Sequence, residues 1–503
     1  MLKHLSADDA AQWLRSLGVE RLLTDSRRIR PGDGFLAWPG GTTDSRAFVL
    51  RALADGAAAC LIEQDGVEAF DLEDARIAAI PSLKAASGRI AAAFHEHPSR
   101  SLKVIAVTGT NGKTSTTWWL AHAFDRVAGV AGACGVVGTL GIGRAGQLSS
   151  TGLTTPDPVV LQESFRDFVD RGCTRCAIEA SSIGIAEERL AGSAIQVGVF
   201  TNFTQDHLDY HGTMEAYWSA KRALFEWPDL GAAVINLDDP KGRELCRLAT
   251  DRGLDLWTYG VDACDARLVA VDIRLLPSGV TFSVQEGVER TRVISKAFGT
   301  FNVSNLMAVI AAMRSQGHSL FEAAEACSSL PPVPGRMEVV DAALSPTVLV
   351  DYAHTPDALD KSLATARSIA TLRGGRLWCV FGCGGDRDPI KRPIMGAVAE
   401  AGADRVVITS DNPRSEDPMA IVNAIRAGFS GPESVVVELD RARAIAQTIN
   451  AADKQDVILL AGKGHETYQE SCGLRVPFSD RAHARIALKS RSRASIQDRF
   501  QNE

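Results

Sequence analysis

The apolar run Val104-Ile105-Ala106-Val107 leads into Gly109-Thr110-Asn111-Gly112-Lys113-Thr114, and a helical pattern follows from Thr116 to Phe124. Strand, glycine-bearing loop and helix in that order narrow what the chain can become. Glycine tolerates the dihedrals that aim backbone N–H groups inward, and a helix N-terminus adds donors and a favourable dipole. The product is a cradle for a phosphate chain. Lys113 would sit between the β- and γ-phosphates, and Thr114 would offer its hydroxyl to Mg²⁺. The general pattern asks for a first glycine at residue 107, where Val107 stands, so it is met only in part.

The surrounding sequence repeats the alternation. Strand-like runs recur at Cys176 to Ile178, Val197 to Phe200 and Ala232 to Ile235. Such spacing predicts βαβ units and a mainly parallel sheet. Leu268 to Val293 reads instead as antiparallel strands. Before this region, Pro31-Gly32-Asp33-Gly34 is a turn leading into a strand at Phe35 to Trp38, and an alanine-rich helix is expected over Arg51 to Ala59. A linker is expected at His97 to Arg100. Pro331-Pro332-Val333-Pro334-Gly335 is the strongest break and reads as a hinge. Beyond it, strands are expected at Thr347 to Val350, Leu377 to Phe381, Arg405 to Ile408, Ser434 to Val437 and Val457 to Leu460, with the end fraying from Lys489. With 503 residues, too many for one core, this predicts three α/β domains, over 1–98, 99–335 and 336–503.

Composition excludes several classes. Hydrophobic residues make up 45% and charged residues 23%, an ordinary globular balance, and the net charge of -7 argues against nucleic acid or anionic membrane as main partner. No apolar run approaches the roughly 20 residues that span a bilayer, and the N-terminus lacks a signal-peptide pattern, so a cytoplasmic location is expected; the chain is separately expected to be a monomer. The ten cysteines lack framework spacing. Cys173 and Cys176 form a C-x-x-C without the second pair a zinc site needs, and they sit at the start of a strand, so they read as small core hydrophobes.

The phosphate loop resembles that of the Mur ligases and folylpolyglutamate synthetases, in which ATP phosphorylates a carboxylate and an amine attacks the acyl phosphate. The resemblance runs along nearly the whole chain. It includes Asp25-Ser26-Arg27, Thr154-Thr155-Pro156, Glu179-Ala180-Ser181-Ser182, the run from Thr201 to Gly212, Asn236-Leu237-Asp238-Asp239, Phe301 to Asn305 and Pro334-Gly335-Arg336. Further along come Asp351-Tyr352-Ala353-His354, Gly382 to Asp388, Asp411-Asn412-Pro413-Arg414 and Gly462-Lys463-Gly464-His465-Glu466. The chain departs from the family pattern at Ser115, Ile183, Glu187 and Thr43 to Arg46.

Residue types and resemblance then combine. Glu179 ends an apolar run, where a parallel sheet presents ligand groups, and a carboxylate there suits Mg²⁺. His207, by itself a loop histidine, is implied by the resemblance to be a ligand of a second metal. Lys221, by itself a solvated helix lysine, is implied to be carbamylated, which turns a cation into an anion able to hold magnesium. The resemblance also implies that Gly109 to Ser115, Asn236, Asp238, Asn302 and Arg336 hold ATP. Asn302 and Asn305 equally read as caps of a helix beginning near Ser304. Thr24, Ser26, Thr42, Thr154, Thr155, Ser181, Glu187 and Arg189 are implied to hold a UDP-linked muramoyl dipeptide.

Asp411-Asn412-Pro413-Arg414 is, by its residues, a turn signal. In the family it marks the members that add meso-diaminopimelate, whose extra distal carboxylate calls for an arginine fork. Arg387, Arg414, Asn412 and Pro413 would then meet that amino acid, with Asp411, Gly462 and Glu466 taking its amino and polar groups. The alternatives are a lysine-adding relative, or a nucleotide-sensing module without ligase chemistry.

Overall fold

The computed structural model of the protein describes residues 3–40, 43–129, 133–276, 278–340, 345–431 and 435–501, with only the backbone described for 493–501. Three sheets organise the chain, each covered by helices.

The first sheet is wholly parallel. Its strands are β1 (Lys3–His4), β2 (Arg21–Leu23), β3 (Asp33–Ala37), β4 (Ala59–Glu63) and β5 (Ile77–Ile80), in the order β1-β5-β4-β3-β2. The strand over Phe35 to Trp38 is therefore present. The helix expected over Arg51 to Ala59 runs only over Val49–Ala54, and Ala59 opens β4. Alanine suits a helix by propensity, but here the buried run Ala59-Cys60-Leu61-Ile62 gains more by joining a parallel sheet covered on both faces.

The second sheet contains β6 (Lys103–Thr108), β7 (Cys134–Gly138), β8 (Gly141–Arg144), β9 (Gln147–Ser149), β10 (Arg175–Glu179), β11 (Ile195–Phe200), β12 (Ala232–Asn236), β13 (Asp255–Gly260), β14 (Leu268–Leu276), β15 (Gly279–Glu286) and β16 (Glu289–Ser295). The order is β16-β15-β14-β13-β12-β11-β6-β10-β7-β8-β9. As the alternation predicts, β6 lies parallel between β10 and β11, and β14 to β16 form an antiparallel meander. Val104 to Val107 are fully buried, which explains their unbroken apolar run. Register does the positioning: Glu179 pairs with Val107 and Phe200 with Thr108. The ends of β10 and β11 therefore flank the start of the phosphate loop. The helix after that loop spans Lys113–Ala128, longer at both ends than its apolar pattern.

The third sheet contains β17 (Glu338–Val340), β18 (Thr347–Asp351), β19 (Leu377–Phe381), β20 (Arg405–Ile408), β21 (Val436–Val437) and β22 (Val457–Ala461). The order β17-β18-β22-β19-β20-β21 is parallel apart from β17. The strand expected from Ser434 begins at Val436, and Ser434 lies outside the described residues. The loops after β18, β19, β20 and β22 gather at one edge, the ligand-binding edge of open α/β sheets. A small hairpin follows, β23 (Tyr468–Ser471) and β24 (Leu474–Pro477). Instead of fraying from Lys489, the backbone stays helical over Asp480–Gln501. Ala484, Ala487 and Leu488 anchor its start in the core, and a nucleated helix propagates cheaply.

Several helices open on an acidic or hydroxyl cap followed by proline: Asp157-Pro158, Asp239-Pro240, Thr355-Pro356 and Asp417-Pro418. Proline at the first helical position loses no hydrogen bond, and the capping oxygen satisfies an orphan N–H.

Candidate active site

The phosphate loop is shaped by two glycines and braced from outside. Gly109 has φ +147 and Gly112 φ +85. A side chain on Gly109 would collide with Thr201 Oγ1, and one on Gly112 with Asn305 Oδ1. Thr110 N donates to Asn202 O at 2.8 Å, and Asn111 N to Asn202 Oδ1 at 2.9 Å. Thr201 Oγ1 donates to Asn111 O at 2.6 Å. The segment from Thr201 thus acts as a splint for the loop. Lys113 Nζ folds back on Gly109 O at 2.9 Å and Thr110 O at 2.8 Å. Ser115 is buried in the first helical turn.

Glu179, at the end of β10, is 1% exposed. Its Oε2 accepts from Thr114 Oγ1 at 3.0 Å and from Thr139 Oγ1 at 3.2 Å, and its Oε1 from Thr139 N at 2.7 Å. Burial pushes its carboxyl above the usual carboxylate range, while the Lys113 cation pulls the other way. Mg²⁺ takes hard oxygens, keeps several waters and binds through one or two carboxylates plus phosphate oxygens. A carboxylate and a hydroxyl converging beside a phosphate loop fit that ion. Among the described residues no group of three or more His, Cys, Asp or Glu side chains is placed to hold a metal ion by itself. Further positions would therefore fall to nucleotide phosphates and water.

Lys221 is not a solvated helix lysine. It lies in the helix Met214–Arg222, is 1% exposed, and its Nζ donates to Gly109 O at 2.7 Å while standing 4.4 Å from the Tyr217 ring centre. Among the described residues no carboxylate stands within ion-pair distance of its Nζ. Burial first, and the Lys113 cation second, hold its amine well below the ordinary lysine value, with Asp206 opposing. His207 has φ +53, in the left-handed region, and its Nε2 lies 3.6 Å from Asp206 Oδ2. Burial lowers the imidazole and Asp206 raises it. Such a strained backbone at a chemically equipped loop is the kind found at functional sites.

The residues expected at the nucleoside end are engaged within the protein. Asp238 accepts from the backbone of Val261, Asp262 and Ala263 at 2.8–2.9 Å. Asn236 Nδ2 donates to Thr201 O at 2.7 Å. The helix carrying Asn302 and Asn305 begins at Thr300, so neither caps it; Asn302 Nδ2 donates to Phe298 O at 2.8 Å and Asn305 Nδ2 to Asn302 Oδ1 at 3.0 Å. The stretch Gly299 to Phe301 starts the helix four residues before Ser304, because Val303, Leu306 and Met307 all reach the core. Arg336, just after the break at 331–335, donates to Thr114 Oγ1 at 3.1 Å.

Thr155, Ser181 and Arg189 form one cluster behind Glu179. Thr155 Oγ1 donates to Glu179 O at 2.7 Å, Ser181 Oγ lies 2.9 Å from Thr155 Oγ1, and Arg189 donates to Thr155 O at 3.0 Å. Thr154 joins through Thr139 at 3.1 Å. Glu187 bridges Lys84 of the first unit, at 2.5 Å, and the Tyr210 hydroxyl. Thr24 and Ser26 stand at the carboxyl end of β2, and Thr42 lies outside the described residues. Thr139, Tyr217 and Lys84 were not signalled in the sequence; only proximity in space singles them out.

In the third unit, the loops after β19 and β20 interlock: Gly385 N donates to Asn412 O at 2.9 Å, and Arg414 Nη1 to Gly385 O at 2.6 Å. A side chain on Gly384 would stand 3.0 Å from Arg414 Nη1 and 3.7 Å from Arg387 Cγ. The two arginines therefore flank one glycine. Asp411, Asn412 and Pro413 are buried, and Gly462 abuts Asp411, where a side chain would strike the carboxylate. Asn412 Nδ2 donates to Glu466 Oε2 at 2.9 Å. Cys173 and Cys176 are buried, and burial raises both thiols, as expected of core residues.

Residues 107–313 match the model of the Mur ligase middle domain, and 335–464 that of the Mur ligase, glutamate ligase domain. The chain belongs to the Mur ligase family. It is 55% identical over 488 residues to a UDP-N-acetylmuramoyl-L-alanyl-D-glutamate--2,6-diaminopimelate ligase of Acidovorax sp. (strain JS42), covering 96% of this chain and 97% of the relative. A protein of the same name from Janthinobacterium sp. (strain Marseille) is 47% identical, covering 95% and 96%. A solved structure of a ligase with that name superposes with a TM-score of 0.65 at 35% identity, over 94% of this chain and 95% of that one. Among the described residues no helix is long and apolar enough to cross a membrane.

Proposed function

We propose that this Mur ligase joins meso-2,6-diaminopimelate to UDP-N-acetylmuramoyl-L-alanyl-D-glutamate at the cost of ATP, as the names of its relatives indicate for those proteins. The observation that carries the reading is a pairing within one chain. A phosphate loop meets a buried carboxylate, and a separate α/β unit sets two arginines around one glycine beside buried Asp411.

In this reading residues 1–98 hold the muramoyl nucleotide, 99–335 ATP and 336–503 the amino acid. The γ-phosphoryl group passes to a glutamyl carboxylate oxygen, giving an acyl phosphate and ADP. The diaminopimelate amine then attacks the acyl carbon, the amide forms, and phosphate and a proton leave. All reactants but the amine are anionic, so positioning and charge neutralisation dominate. Gly109 to Ser115 cradle the phosphates, Lys113 neutralises transferring charge, and Arg336 approaches from the hinge. Thr114 and Glu179 would hold Mg²⁺, with His207 and carbamylated Lys221 at a second position; bound there, the ion supplies positive charge against the phosphates. The neutral amine is the form of Lys221 whose nitrogen attacks the carbon of CO₂, releasing one proton and leaving a carbamate. Asn236, Asp238 and Asn302 line the nucleoside end as parts of a rigid frame. The reaction belongs in the cytoplasm, where ATP is available, and the chain acts as a monomer.

The test is an amino-acid panel with UDP-muramoyl dipeptide and ATP, read by product mass. Diaminopimelate should give the adduct with one ADP per product. An adduct with lysine in preference, or ATP hydrolysis without any adduct, would overturn the proposal.

A further inference from the structure

Lys463 is wholly buried, its side chain 0% exposed. A buried ammonium is costly unless paired and hydrogen-bonded. Here Nζ donates to Asn412 Oδ1 and to Glu466 Oε2, each at 2.9 Å, and stands 4.0 Å from Asp411 Oδ1. These three partners come from two loops, after β20 and after β22. They are also the side chains placed above around the incoming amino acid.

The hydrogen bonds fix directions as well as positions. Asn412 Oδ1 accepts from Lys463 and from Glu470 N at 3.0 Å, so its Nδ2 must face Glu466. Glu466 Oε2 thereby receives two donors. Among the described residues no side-chain donor reaches Oε1. Beneath the cluster, Arg441 and Asp480 form a closed pair, both 0% exposed. The rings of Tyr468 and Tyr352 complete the surroundings.

We infer that Lys463 is a positioning residue that sets both the geometry and the charge of the amino-acid pocket, leaving Glu466 Oε1 as the acceptor for one substrate ammonium. The inference rests on the proposed function. Two carboxylates in one buried site do not both stay ionised without a cation. Lys463 Nζ, hydrogen-bonded to Glu466 and 4.0 Å from Asp411, is the cation set between the two carboxylates; burial pushes the Asp411 carboxyl above the usual range and Lys463 pulls it back. Arg441 also attracts Asp411 and Glu466, but its short hydrogen bonds go to Asp480 and to Ala461 O, and among the described residues none reaches either carboxylate.

The experiment uses the full-length enzyme and its Lys463→Met and Lys463→Arg variants, with kinetics for all three substrates across pH. For Lys463→Met, kcat/KM for diaminopimelate should fall by about 100-fold, the scale of a misplaced binding group. The KM values for ATP and the UDP-dipeptide should hold. The acid limb of the diaminopimelate profile should move to higher pH, because Asp411 loses the cation that lowers its carboxyl. Lys463→Arg keeps the cation and should keep the acid limb in place, even with a slower rate. A Met variant with an unmoved acid limb, a Met variant that raises all three KM values alike, or an Arg variant whose limb shifts would overturn the inference. Should Lys463→Met fail to fold, the Arg variant still decides. An intact enzyme that makes no diaminopimelate adduct would instead remove the underlying reading of function.

Discussion

Asn111, in the phosphate loop, donates its side-chain amide to Asp357 Oδ2 at 2.9 Å, across the break at 331–335. Asp357 lies in the first turn of the helix Pro356–Arg373 and also holds Lys361 at 2.9 Å. The nucleotide loop is thus tied directly to the third unit. Asp357→Ala should raise the KM for ATP by about fivefold, the worth of one hydrogen bond near 1 kcal/mol. Steady-state kinetics check this, and an unchanged KM would show that the tie is incidental to nucleotide binding.

Lys113→Ala should leave the fold intact and lower product formation by about 10²–10³-fold or more, since a preorganised cation at the transferring phosphoryl group is lost. Circular dichroism and product mass measure the two halves. Normal turnover would remove the phosphate loop from the chemistry.

Lys221 should carry a carbamate. Burial holds its amine well below the ordinary lysine value, which favours the neutral form; as pH falls through that lowered value the amine protonates, so carbamate and activity should both be lost towards acid. Enzyme in ¹³C-bicarbonate should give a carbamate carbon signal that Lys221→Arg lacks, and Lys221→Ala should be partly rescued by short-chain carboxylates. A fully active Lys221→Arg would end this assignment.

Arg414, with Arg387, should select diaminopimelate over lysine. The two amino acids differ by one carboxylate, and a charge-assisted bidentate pair in a closed site supports discrimination of roughly 10²-fold. Arg414→Ala should lose that preference while the KM values for ATP and the UDP-dipeptide stay put. Specificity constants for both amino acids, in both enzymes, decide the matter; an unaltered preference would count against the motif.

Asp480→Ala should destabilise the third unit by about 3–5 kcal/mol, because it strands a buried guanidinium. Arg441 and Asp480 meet at 2.7 Å with no exposure. Urea denaturation measures the loss, and a shift below about 1 kcal/mol would mean that water reaches Arg441 in the variant.

Much of this protein was determined locally. Val104 to Thr114 name a strand, a loop and a helix because apolar runs, glycine and Gly-Lys-Thr act over short distances, and the antiparallel meander at 268–293 shows the same legibility. Glu179 was readable because a carboxylate ending a parallel strand has few places to be. Other outcomes depended on burial, which no local window contains. Lys221 reads as a surface lysine until the helix Met214–Arg222 packs it against Gly109 O. Ala59 reads as helix until a sheet offers it a neighbour, and Lys463 becomes a cation between two acids only when loops some fifty residues apart are brought to one sheet edge. Residue type and spacing state what chemistry a chain can perform, since they set donors, charges and backbone freedom. Which of those groups lose water and meet one another is settled by tertiary packing, where desolvation outweighs propensity.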